Sequence, residues 1–161
     1  MSDRTFKNFL PLCTALFLLL SFVGCLPTSY NSANSLIHWR SLEEGKIEAK
    51  EKGMPVLIDF YVGMNCPRCE YLEHSVYTDP EFAEAVNRDF IPVRVNLNMG
   101  RTEDEAALLW KLSPKQECVL AFLDKDGQIV TDEKGQPISS LDKLNKEQYL
   151  SYMATALQNL R

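Results

Sequence analysis

The sequence predicts an α/β domain: a mixed central sheet flanked by helices and closed by a C-terminal β-hairpin and a last helix. Two near-continuous β-prone apolar runs, over 55–62 and 90–97, alternate with segments that open on helix caps, the pattern of strands covered on both faces. A later apolar run, 118–123, leads directly into a short glycine-containing turn, the mark of an antiparallel hairpin. Alternation early and a hairpin late imply parallel crossovers followed by antiparallel strands. The 161 residues, 45% hydrophobic and 24% charged, fit one globular domain.

The first stretch stands outside that domain. Arg4 and Lys7 precede an uncharged apolar run over 9–24, the charged n-region and apolar h-region of a secretory signal. The run ends in Ser21-Phe22-Val23-Gly24-Cys25, which resembles the lipobox of bacterial lipoproteins. That resemblance implies a lipidated Cys25 as the mature N-terminus. An uncleaved membrane anchor is the alternative, although the run is close to the lower limit for a span and contains Pro11. On either reading the rest of the chain faces an extracytoplasmic space. The expected organisation is a lipoprotein-type signal peptide over 1–24, a polar Ser- and Asn-rich flexible tether over 25–36, and the folded domain over 37–161.

Within the domain, Ile37-His38-Trp39 opens as a first short strand. Ser41 and Glu44 form a capping box for the helix that Gly53 ends. After the strand over 55–62, residues 66–77 have helical spacing, and Asp79-Pro80 starts another short helix. The strand over 90–97 follows. Thr102 and Glu105 cap the next helix, with Ala106, Leu108, Leu109 and Leu112 on its apolar positions. The run over 118–123, the turn 124–127 and an arm over 128–130 make the hairpin. Asn145 starts the final helix, whose apolar positions Tyr149, Leu150, Met153, Leu157 and Leu160 fall mostly on one face.

Composition excludes several classes. A net charge of −5 without a Lys/Arg cluster provides no footprint for nucleic acid. Seven glycines, eight prolines and no internal repeat exclude collagen-like, low-complexity and solenoid architectures.

Chemistry concentrates in the cysteines. With Cys13 in the leader and Cys25 carrying lipid, Cys66, Cys69 and Cys118 remain. An odd number in an oxidising compartment argues against a purely structural disulfide framework. Cys66-Pro67-Arg68-Cys69 lies on the first turn of a helix directly after a buried strand. There, free backbone N–H groups and the positive helix end stabilise a Cys66 thiolate, while Cys69 lies one turn on, within reach of a disulfide. Arg68 adds a fixed positive charge, and Pro67 stiffens the intervening dipeptide. An inert disulfide and half of a zinc site are the alternatives; for zinc, only Cys118, His38 and His74 are left as further ligands. His38 and His74 have no matching partner and read as surface histidines. Met64 and Met99 flank the region and suit Cu(I), but loop methionines more commonly pack.

These residues resemble the thioredoxin-like proteins, and among them bacterial periplasmic thiol reductases of the DsbD C-terminal-domain and DsbH type. The resemblance spans about residues 37–130 and is carried by the strand Pro55-Val56-Leu57-Ile58-Asp59-Phe60-Tyr61, by Cys66-Pro67-Arg68-Cys69, and by the segments 72–82, 108–112 and 122–127. It implies a thioredoxin-like fold, Cys66 as the attacking cysteine and Cys69 as the resolving one. Asp59 falls near the buried acid that in thioredoxins assists proton transfer to the second cysteine; an exposed or merely hydrogen-bonded strand acid is the alternative. Two departures stand out. Asn65 occupies the place where the family usually has Trp. An ungapped match from 108–112 to 122–127 places Glu117-Cys118 where the family has a residue followed by a cis-proline. A cis bond before a non-proline costs roughly 2.5–4 kcal/mol, so a trans bond and a reshaped substrate loop are expected. Cys118 is then a third sulfur beside the pair, or else a small buried residue opening a strand.

The implied function is a lipid-anchored thiol–disulfide oxidoreductase on the periplasmic side of a bacterial membrane, working as a reductase through Cys66-Pro67-Arg68-Cys69. Its implied partners are proteins bearing disulfides or thiols, an upstream membrane electron donor, and the membrane through the N-terminal lipid. No cofactor is expected. The rivals are a copper-handling metal-binding protein using Cys66, Cys69 and Cys118, and a non-catalytic binding module. Arg68 pulls against the reductase direction, because stabilising the thiolate form makes a pair more oxidising.

Overall fold

The computed structural model describes residues 35–63 and 65–160. The signal run, Cys25, most of the tether and Met64 lie outside the described residues. Five helices and four strands follow in the order α1 (Leu42–Lys52), β1 (Val56–Tyr61), α2 (Pro67–Ser75), α3 (Pro80–Asp89), β2 (Ile91–Asn96), α4 (Glu103–Leu112), β3 (Val119–Leu123), β4 (Ser139–Ser140) and α5 (Lys146–Asn159). The sheet order is β2-β1-β3-β4, with β1 parallel to β2 and antiparallel to β3, and β3 antiparallel to β4. This is the expected mixed sheet. Among the described residues no helix is long and apolar enough to cross a membrane.

The caps that the sequence writes are formed. Reciprocal capping boxes join Ser41 to Glu44 and Thr102 to Glu105, and Asn145 to Gln148 makes a third. Asp79 caps α3 ahead of Pro80, and Gly53 ends α1 in the left-handed region at φ 67°.

The strands bury both faces. One apolar layer packs Leu57, Leu120 and Phe122 against residues of α2, α3 and α5, including Leu72, Phe82 and Tyr149. The opposite layer packs Ile58, Phe60, Val93 and Ala121 against Leu42 and Ala49 of α1 and Leu109 of α4. α1 approaches β2 closely at Gly45, where an added Cβ would lie 2.2 Å from Val93 Cγ2.

Two expected elements take another form. Ile37 and Trp39 bury their side chains, but the segment makes only an isolated bridge between Arg40 and Val93, too short to be a strand. The turn at 124–127 also forms, yet its returning arm contributes only the bridge Leu123–Ile129, because a second turn at 132–135 folds the chain back at once. Ser139–Ser140 instead pair with Ala121 and Leu120 and supply the antiparallel edge strand.

Candidate active site

The pair sits where β1 hands over to α2. Asn65 adopts φ 62°, a left-handed conformation that asparagine tolerates better than a bulky side chain, which accounts physically for the absence of an aromatic residue there. Cys66 is the N-cap of α2: its Sγ accepts a hydrogen bond from the Cys69 backbone N–H at 3.1 Å. Pro67 occupies the first turn, where its missing N–H costs nothing. Cys66 and Cys69 form a disulfide with Cα atoms 5.2 Å apart. Cys66 is half-buried and Cys69 is buried, so an incoming group reaches Cys66 first.

Cys118 arrives immediately before β3, the strand neighbouring β1, and is also half-buried. Its Sγ lies 3.6 Å from Cys66 Sγ and 3.5 Å from Cys69 Sγ. Burial pushes the Cys118 thiol up; Arg68 opposes that shift, and Asp59 adds to it. Glu117 beside it is exposed, with its backbone N–H donating to Ser113 Oγ at 3.1 Å. Gln116, at φ 57°, turns the chain into this position.

Beneath the disulfide lies a buried charge cluster. Asp59 is 2% exposed on β1. Its carboxylate accepts from Tyr77 Oη at 3.0 Å and from Arg68 Nη1 at 3.4 Å, and lies 3.6 Å from Arg94 Nη2. Arg68 is buried rather than presented to solvent, and its Nε also donates to the Asp142 carbonyl at 3.2 Å. Arg94 stacks among Trp39, Tyr61 and Tyr77, with ring centroids 4.2, 4.6 and 5.0 Å away, and pairs with Glu73 at 2.9 Å. The Tyr77 and Tyr149 hydroxyls lie 3.2 Å apart. Burial raises both tyrosine pKa values, and the Asp59 charge raises them further. For both arginines burial is the largest influence and lowers the pKa, but Asp59 and Tyr77, joined by Tyr149 at Arg68 and by Glu73 at Arg94, together raise it further, so each stays protonated.

The sequence-selected residues thus divide. Cys66, Cys69 and Cys118 converge, with Pro67 on the turn and Arg68 and Asp59 paired underneath. Glu117 stays on the exposed loop. His38, His74 and Met99 are exposed, and neither histidine joins the three-sulfur group. Arg94, Tyr77 and Tyr149 escaped the sequence reading. A signal for Arg94 was present: one acid in the first apolar strand and one base in the second, which the parallel register sets opposite each other as Asp59 and Arg94.

A groove beside Cys69 is lined by Tyr61, Gly63, Glu70, Glu73, His74 and Asn96.

The profile of the thioredoxin-like family matches residues 38–125. Solved structures similar in fold include a DsbH oxidoreductase, at TM-score 0.56 and 18% identity, covering 78% of this chain and 86% of that one. A thioredoxin from Thermus thermophilus matches at TM-score 0.59 and 15% identity, covering 77% and 89%. The oxidised C-terminal domain of DsbD from Neisseria meningitidis matches at TM-score 0.51 and 22% identity, covering 73% and 90%.

Proposed function

Because the chain belongs to the thioredoxin-like family, we propose that it is a thiol–disulfide oxidoreductase that works as a reductase on protein substrates. The observation that carries this reading is the Cys66–Cys69 disulfide at the N-terminus of α2, with Cys66 the more accessible sulfur.

In the reductive half-cycle the Cys66 thiolate attacks one sulfur of a substrate disulfide. The substrate S–S bond breaks, a Cys66–substrate bond forms, and the other substrate sulfur leaves as a thiolate that takes up a proton. Cys69, after losing its proton, attacks Cys66 Sγ, closes the Cys66–Cys69 disulfide and releases the second substrate thiol. The two electrons given to the substrate are restored by an upstream dithiol donor at the membrane. The helix N-terminus and the Cys69 N–H stabilise the attacking thiolate. Arg68 contributes less to that stabilisation than its sequence position implies, since its charge is compensated by Asp59. That compensation favours the reductase direction.

Arg4, Lys7, the apolar run and Gly24-Cys25 support a periplasmic location with a lipid on Cys25. The domain over 37–161 is then held off the membrane by the segment 25–36.

Trapping tests the assignment of roles. Since Cys118 is as near to Cys66 as a second resolving thiol needs to be, the trap is the double variant Cys69→Ala/Cys118→Ala. Incubated with a disulfide-bonded protein, it accumulates a mixed disulfide through Cys66, identified by peptide mass mapping. In Cys69→Ala alone the same adduct decays faster, leaving a Cys66–Cys118 disulfide. No adduct at Cys66 in the double variant overturns the reading.

A further inference from the structure

Disulfide exchange needs two thiols, and this site holds three on two separate elements. Cys66 and Cys69 come from the first turn of α2, and Cys118 from the entry to β3. We propose that the dithiol form of the site is a trigonal Cu(I) site with Cys66, Cys69 and Cys118 as its ligands.

Distances carry the argument. Three sulfurs around one ion, each about 2.3 Å from it, lie about 4.0 Å apart in a trigonal plane and about 3.8 Å apart as three corners of a tetrahedron. Cys118 Sγ already stands 3.6 and 3.5 Å from the other two. Two of the three edges are therefore within about half an ångström of the required length, and the third opens when the Cys66–Cys69 bond is reduced. An external dithiol supplies the two electrons and two protons for that reduction, and metal binding then releases the thiol protons. The proposal rests on reading the pair as one that cycles to the dithiol.

The ligand set selects the ion. Three thiolates with no oxygen or nitrogen donor favour a soft cation. Neither described histidine belongs to the cluster, and among the described residues no aspartate, glutamate or further cysteine joins it. Trigonal Cu(I) is complete with three sulfurs, whereas Zn(II) would keep a position open for an outside ligand. The half-buried Cys66 and Cys118 leave a path for the ion to enter. Once bound, it engages the attacking sulfur, so the loaded protein is inactive in exchange.

The test uses the full chain, reduced, metal-free and anaerobic, titrated with Cu(I) against a chromogenic Cu(I) chelator. One ion per chain is expected, with three sulfur neighbours by X-ray absorption. Cys118→Ser should lower the affinity at least about tenfold and leave two sulfur neighbours. A second measurement needs no variant: Cu(I) should protect Cys118 of the wild-type protein from alkylation. Two sulfur neighbours in wild type, unchanged affinity in Cys118→Ser, or unprotected Cys118 overturns the proposal. Normal disulfide exchange without Cu(I) binding also overturns it, while leaving the oxidoreductase reading intact.

Discussion

Asp59→Asn removes one negative charge from between two buried guanidinium groups while nearly preserving shape. At an effective dielectric constant near 20, charges 3.4 and 3.6 Å apart attract by about 5 kcal/mol each. The cost of burying the carboxylate offsets part of that attraction. Removing one partner of a buried pair nevertheless typically costs about 3–5 kcal/mol, because a charge is left uncompensated. Arg94 keeps Glu73 at 2.9 Å, so Arg68 is the stranded cation and the lower end, about 3 kcal/mol, is expected. Urea unfolding of the oxidised protein at neutral pH reads this. With a slope of about 1–3 kcal/mol per molar, the midpoint should fall by about 1–3 M. The double variant Asp59→Asn/Arg68→Met should recover much of the loss, since the stranded charge has gone. A single-variant loss below about 1 kcal/mol, or additive losses in the double variant, refutes the account of the cluster.

Three other outcomes are expected. The raised pKa values of Tyr77 and Tyr149 mean that the native state keeps phenolic protons that the unfolded chain releases above about pH 10; stability is therefore intact below that pH and falls as pH rises beyond it. Unfolding measured as a function of pH should show a slope of at most about 1.4 kcal/mol per pH unit for each tyrosine, reduced in Tyr149→Phe. Gly45→Ala should lower the melting temperature: helix propensity alone would add about 1 kcal/mol, but crowding against Val93 in a packed layer costs about 1–3 kcal/mol. Cys25→Ala should abolish incorporation of a labelled fatty acid in cells and release the protein from the membrane fraction; unchanged labelling removes the lipoprotein reading.

The three long strands, the helices and two capping boxes were legible because each rests on local chemistry: apolar runs of strand length, and a side chain three residues from the N–H it caps. The pairing of β4 was not. Ser139 and Ser140 carry no strand signal, and they pair because the turn at 132–135 returns the chain to the free edge of β3. At the site, the spacing of Cys66 and Cys69 announced the disulfide, whereas the direction of the Arg68 side chain depends on Asp59, nine positions earlier on another element. The motif places a positive charge beside the cysteines, and only the fold shows that charge buried as the counter-ion of Asp59. Arg94 was hidden for a similar reason. Only strand register sets it opposite Asp59, and only tertiary packing surrounds it with Trp39, Tyr61 and Tyr77.

That buried cluster bears on the direction of electron flow. A charge that stabilises the thiolate form draws a dithiol pair toward oxidising behaviour, by about 30 mV for each 1.4 kcal/mol. Left alone, the two arginines would exert that pull on the sulfurs above them. Asp59 and Glu73 balance them charge for charge, and Asp59 contacts both. What then remains to stabilise a Cys66 thiolate is the end of α2 and one backbone N–H. The arginines fix the turn instead: Arg68 ties α2 to β1 through Asp59 and to the approach to α5 through the Asp142 carbonyl. The charge on the motif thus serves to hold Cys66 and Cys69 in place more than to polarise them, which removes one pull toward an oxidising potential and is consistent with the proposed direction.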